Sequence, residues 1–486
     1  MTVTERAPLS HKLAGPGRIT VQNAPEGLDA RLLADLAREL DRGVVFVARD
    51  DQRLAATADM IRFFAPALEP VVFPAWDCLP FDRSSPNRQI LAERMEALGM
   101  LAESGAAGRL ILTTVNAITQ RVPERAEVSG GHFAAQVGDP IDEAELIAFL
   151  VAQGYGRTGT VMEPGEYAIR GGLIDIFPPN DDQPVRLDLF GRELESIRRF
   201  DPMSQRTLAR VDSFALTPVS ELVLDERRAN HFRARYRELF GIKAESDPIY
   251  EAVSEGRSFP GMEHWLPIFY RRLETLFDYV GEAAVVLDHL ADDAAESRFA
   301  AIEDYQVTRA EAVKATASGQ GSAGAVFRPL PADALYLAPG EWAEFLAGQP
   351  VAALTPFNVG DGESPVIHDL QGRRGRDFAP ERATPHANVY EALARHIQDL
   401  VPDRQITVAS YSDGARQRLG GMLRDAGIRA IAEVETFDEA MKLDRNVVGL
   451  AVLSIEAGFE APDAVLISEQ DVLGDRLVRK RRRRRR

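Results

Sequence analysis

The residues best suited to chemistry lie in three neighbouring runs: Gly165-Glu-Tyr-Ala-Ile-Arg-Gly-Gly-Leu-Ile-Asp-Ile-Phe-Pro178, Val185-Arg-Leu-Asp-Leu-Phe190 and Phe200-Asp-Pro-Met-Ser-Gln-Arg206. They read as strands joined by turns. In a strand of period two, Arg186, Asp188 and Phe190 point to one side, while Leu187 and Leu189 point inward. That chemistry is recognition rather than catalysis, because arginine and aromatic side chains dominate binding energy once desolvated. Arg170 precedes Gly171-Gly172, a pair that permits close backbone approach or an unusual turn. A plainer arrangement has Asp188 pairing with Arg186 and Phe190 capping a hairpin. On these residues alone the two readings weigh equally.

Other chemistries find less support. A phosphate-binding loop needs Gly-x-x-x-x-Gly-Lys-Ser/Thr, whose amides cradle phosphate while the lysine neutralises it. After the expected strand at 18–21 stands Gln22-Asn-Ala-Pro-Glu-Gly-Leu-Asp29, with one glycine, no lysine and two carboxylates facing the would-be anion. ATP binding is not expected there. Asp438-Glu-Ala-Met441 and Asp142-Glu-Ala-Glu145 faintly resemble an acidic metal-and-water motif of helicases. The segment before Asp438 is too polar for the strand such a motif needs, and Asp142 suits a helix N-cap. The eight histidines (11, 132, 231, 264, 289, 368, 386 and 396) show no metal spacing, and no Gly-x-Ser-x-Gly elbow exists. Cys78 has no nucleophile context. Phe73-Pro-Ala-Trp-Asp-Cys-Leu-Pro-Phe-Asp-Arg-Ser-Ser-Pro86 offers Trp76 or Phe81 for stacking on bases, against a structural role as buried caps of a sheet. The structural role fits better, since only Arg83 and Arg88 are basic nearby.

These residues need elements to hold them. Residues 1–125 alternate strand-like and helix-like segments, as a parallel sheet with right-handed crossovers requires. Residues 126–217 change texture to a short helix and antiparallel hairpins, an α+β insertion. Residues 218–358 return to the first pattern, with Ala283–Asp288 a buried strand. Low-complexity residues 315–324 suggest a mobile loop, and 359–384 an interdomain linker. Residues 385–475 form a small separate α/β domain, and 476–486 a basic tail.

Composition bounds the class. The chain has 486 residues, 45% of them hydrophobic, and one cysteine, which excludes a disulfide framework and multi-cysteine metal sites. No apolar run approaches the roughly 20 residues of a membrane span. The amino terminus lacks a signal-peptide core, so a cytoplasmic protein with no membrane partner is expected. Net charge is −17 even though Arg479–Arg486 is wholly basic, so the remainder is more acidic still. Such a body repels nucleic-acid backbones. The arginine run itself suits weak nucleic-acid binding or the start of a solvated linker or helix.

Phe73–Asp82, Glu163–Phe177, Arg186–Phe190, Phe200–Thr207 and Gly458–Gly474 together resemble the transcription-repair coupling factor family (Mfd), in order along essentially the whole chain. The resemblance implies a defunct, P-loop-ATPase-like domain similar to the damage-recognition protein UvrB, split by an insertion that binds UvrA. It places the UvrA-contacting positions on Arg170, Arg186 and Phe190, with Arg198 and Arg199 as weaker candidates. It further implies that RNA polymerase, double-stranded DNA, ATP and magnesium belong to later domains of the family. This chain ends where they would begin. On that resemblance the chain is a monomeric, non-catalytic recruiter with no cofactor or metal of its own, whose UvrA face stands open without a masking domain. The rivals are an active UvrB-like or helicase-type ATPase and a nucleic-acid binder working through its basic tail.

Overall fold

The computed structural model describes residues 8–129, 131–241, 247–317, 327–360 and 366–474. The protein is α/β throughout, with a large parallel sheet, an α+β insertion and a small α/β domain with its own sheet. Of the loop expected at 315–324, residues 315–317 instead end the helix Ala291–Ala317, while 318–324 and the arginine run lie outside the described residues.

Seven strands form the first sheet, in the order Ile367–Asp369, Gly17–Gln22, Pro350–Leu354, Ala284–Leu287, Val44–Ala48, Leu110–Thr114 and Val71–Phe73. Every neighbouring pair is parallel. The central strands Val44–Ala48 and Ala284–Leu287 are buried along their whole length, as strands covered on both faces must be. They lie side by side although the insertion separates them in sequence. Asp50 caps the following helix, Asp51–Phe64, by accepting a hydrogen bond from the Arg53 amide at 2.7 Å.

The carboxyl ends of those two strands are where open α/β sheets bind their ligands. A buried ion cluster occupies that place. Arg53 bonds Asp29 and, at 3.3 Å, Asp288, while Arg49 reaches Asp288 at 3.0 Å and Glu26 at 2.7 Å. Helix Leu28–Glu39, which follows the first strand, starts against the small domain. A Cβ on Gly27 would meet Ile455 Cδ1 at 2.7 Å and Phe459 Cδ1 at 2.9 Å.

The small domain orders its strands Arg373–Arg374, Phe459–Glu460, Ala464–Ser468, Gln405–Ser410, Val448–Val452 and Ile431–Glu433. Its Phe437, Ile455 and Phe459 join the same apolar cluster as Phe63 and Phe64 of the first domain. The stretch expected as a linker is therefore largely built in. Ile367–Asp369 extends the first sheet and Arg373–Arg374 pairs with the second, so three residues carry the chain from one sheet edge to the other. Ile431–Glu433 is also a strand, despite its polarity, because it pairs beside Val448–Val452.

Arg31 clamps the two domains with paired hydrogen bonds to Asp463, at 2.9 and 2.7 Å. Those bonds hold the Asp463 carboxyl below its ordinary range. A lowered folded pKa contributes stability above the ordinary value near about 4, and that contribution is lost as pH falls through the lowered one. Asp463→Asn should therefore lower the melting temperature at pH 7, and the gap from wild type should shrink below about pH 4. A gap independent of pH across that window would refute the clamp.

Candidate partner-docking face

The insertion is a six-stranded sheet in the order Thr207–Val211, Glu193–Phe200, Val185–Phe190, Leu173–Ile176, Glu166–Arg170 and Gly156–Arg157. Its inner face buries Tyr167, Ile174, Ile176, Val185, Leu187 and Ile197. Leu146 and Leu150 of helix Glu143–Ala152, and Phe214 of the ladder between Phe133–Gln136 and Ser213–Leu216, close that core. Asp142 caps this helix, bonding the Ala144 and Glu145 amides, which accounts for its acidic string.

Strand register decides the outer face. Ala168, Asp175, Arg186, Arg198 and Arg210 lie opposite one another across five strands. Arg199 instead aligns with Val185 and Ala209, the inner row, and pairs with Asp181 at 3.2 Å. The two weaker candidates thus part company: Arg198 shares the face with Arg186 and Arg199 does not.

Arg186 lies along this face with only 16% of its side chain exposed. Its Nε and Nη2 donate to Asp175 at 2.6 and 2.8 Å, and its guanidinium sits 4.5 Å over the ring of Phe200. Asp175 is fully buried, so the pair is desolvated already in the free protein. The alternative partner weighed from sequence, Asp188, bonds Arg198 at 2.6 Å instead. Beneath Arg186, Phe200 forms a separate apolar cluster with Val161, Ala168 and Phe177.

Arg170 is exposed, and its guanidinium reaches back to Gly159 O at 2.6 Å and Thr160 Oγ1 at 2.7 Å. Gly171, at φ 62°, makes the tight turn that follows. Phe190 closes its strand opposite Glu193, before the Gly191-Arg192 turn, and stands 80% exposed. Of the three predicted contact residues, then, Phe190 is free for a partner while both arginines hold the face together. Asp175, Phe200 and Gln205 carry as much of this geometry as the arginines. All three lie in runs already singled out, but their roles depend on register.

Elsewhere the weighed candidates resolve structurally. Trp76 and Phe81 are buried, which removes them as stacking platforms. Cys78 lies 3.7 Å from His264 Nε2, but burial pushes its thiol up to about 12 and the imidazole down to about 4. Near pH 7 both are neutral, and a thiolate nucleophile does not form. Asp438 lies in the first turn of a short helix capped by Thr436, five positions beyond the end of strand Ile431–Glu433. Among the described residues no group of His, Cys, Asp and Glu is arranged to hold a metal, and no helix is long and apolar enough to cross a membrane.

Residues 133–222, which contain this sheet, match the family model described as the UvrB interaction domain. The chain is also similar to transcription-repair-coupling factors over much of its length. It is 28% identical to that of Escherichia coli over 93% of this chain and 38% of the relative. The Haemophilus influenzae protein is 33% identical over 58% of this chain and 24% of its own length. For Bacillus subtilis the figures are 25% identity, 55% and 25%. The chain thus spans well under half the length of these relatives.

Removing one partner of a buried ion pair leaves the other charged and unsolvated. Arg186→Ala should accordingly cost about 3 kcal/mol of folding stability. The loss should be much smaller in an Asp175→Ala background, as a double-mutant cycle by denaturant unfolding would read. Additive losses would show that the pair is not coupled.

Proposed function

We propose that this chain acts in transcription-coupled nucleotide excision repair by recruiting UvrA, presenting to it a sheet face like that of UvrB. One observation carries the reading. The segment that matches the UvrB interaction domain is the layer that exposes Phe190 at the end of a strand stiffened by a buried ion pair. A rigid aromatic beside arginines suits an interface anchor, because little entropy is lost on docking.

On this reading the chain supplies recognition and no chemistry. Stalled RNA polymerase and double-stranded DNA would be engaged by parts of the relatives that lie outside it. ATP and magnesium would be bound there as well. An ATPase reading of the first domain is less well supported, because the start of its first long helix abuts Ile455 and carboxylates crowd the strand ends. A cytoplasmic monomer without a membrane partner fits the same role.

Isothermal titration of the full chain with purified UvrA tests the reading. Wild type should bind, and Phe190→Ala should lose about 2 kcal/mol, roughly thirtyfold in affinity, with its melting temperature unchanged. Absence of wild-type binding would sink the reading.

A further inference from the structure

Phe190 has one equal among the described residues. Met203, also 80% exposed, shares with it the highest exposure of any large apolar side chain. A single exposed methionine is unremarkable. The way this one is held is not.

Met203 sits at the tip of the connection between Glu193–Phe200 and Thr207–Val211. Asp201 closes that connection on itself: its carboxylate accepts the Ser204 amide at 2.6 Å, its amide donates to Arg206 O, and its carbonyl accepts the Gln205 amide. Gln205 adopts a left-handed φ of 59°, a conformation that non-glycine residues keep only where the surroundings impose it. Its side-chain amide donates to Pro202 O at 2.7 Å and to Val161 O at 3.1 Å, while its Oε1 lies 3.5 Å from Arg186 Nη2.

The neighbouring connection is tied in the same manner. Arg170 holds Gly159 and Thr160, Gln205 holds Val161, and Glu166 accepts the Met162 and Glu163 amides at 2.8 and 3.0 Å. Each residue from 159 to 163 is thereby fixed, with Met162 still 41% exposed. Buried Phe200 supports the ensemble, under the Arg186 guanidinium. Strained backbone, a glutamine spent on two carbonyls and an ion pair all serve to hold an apolar tip in water. Stability alone does not call for that, whereas a partner that takes the tip does. Methionine suits the purpose, being polarisable and adaptable in shape.

We propose that Met203 is a second apolar anchor of the docking face, and that Arg186 is a positioning residue that holds Met203 in place through Phe200 and Gln205. The inference rests on the reading of this face as the UvrA-binding surface. Phe190 lies opposite Glu193, and the Met203 turn follows Phe200 at the other end of that eight-residue strand, so the two anchors stand about 20 Å or more apart. That span fits within one partner footprint of standard size. The partner should offer two apolar sockets with acidic groups between them, to meet Arg198 and Arg210 on the intervening row.

The test uses the full chain, purified UvrA and four variants: Met203→Ala, Phe190→Ala, Gln205→Ala and Arg186→Lys. Met203→Ala should weaken UvrA binding about tenfold or more with an unchanged melting temperature. Gln205→Ala and Arg186→Lys should weaken it too, and should speed amide hydrogen exchange in residues 159–163 and 201–206. A Met203→Ala protein that binds like wild type, beside a Phe190→Ala protein that does not, would overturn the second anchor and leave the face's assignment standing. Unchanged exchange in both Gln205→Ala and Arg186→Lys would overturn the positioning role. If wild type fails to bind UvrA, the assignment falls and this proposal falls with it.

Discussion

The outer face of the insertion depends on one carboxylate, that of Asp175. Buried alone it would be prohibitively costly, and the Arg186 fork is what makes its burial tolerable. The pairing fixes the guanidinium in a plane, and that plane roofs Phe200. With Phe200 seated, the turn after it can close and Gln205 can bridge to the neighbouring connection. A surface that looks like a scatter of arginines is therefore a hierarchy, from a buried charge to an ordered rim. Such ion pairs are poor sources of net stability, and their best-attested use is to specify a single arrangement.

The same economy governs the first domain. Its parallel sheet keeps the topology of a ligand-binding fold, and the strand ends that would receive a ligand are neutralised internally. Arg53 and Arg49 face Asp29, Asp288 and Glu26 across a few ångströms. The apolar surface around that site is continuous with the small domain through Phe63, Phe64 and Phe437. The two sheets consequently share one apolar cluster, although each also has a core of its own.

How much of this the sequence discloses follows from the range of the forces involved. Val44–Ala48 and Asp51–Phe64 are legible because a doubly covered strand is continuously apolar and a helix shows its cap and period locally. Ile367–Asp369 and Arg373–Arg374 are not, since they are short and polar and owe their structure to partners far along the chain. Period two correctly sets Arg186 and Phe190 on one side of their strand. It cannot say that Asp175 stands opposite Arg186, or that Arg198 and Arg199 serve different faces, because both facts belong to cross-strand register. The family resemblance picks out the arginines by position, and only the geometry distinguishes a side chain left exposed from one that holds another in place.

The contact between Gly27 and Ile455 bears on whether a nucleotide could be seated at this end of the sheet. Degeneracy of a phosphate loop is usually pictured as missing letters, to be restored by returning the glycines and the lysine. Here the neighbouring domain occupies that place, with Ile455 and Phe459 against the helix start and an ion cluster of two arginines and three carboxylates beside it. Regaining the letters would leave the anion without room and facing carboxylates. A phosphate site is closed off there by packing as well as by sequence, because the second domain draws part of its own apolar core from the same crevice.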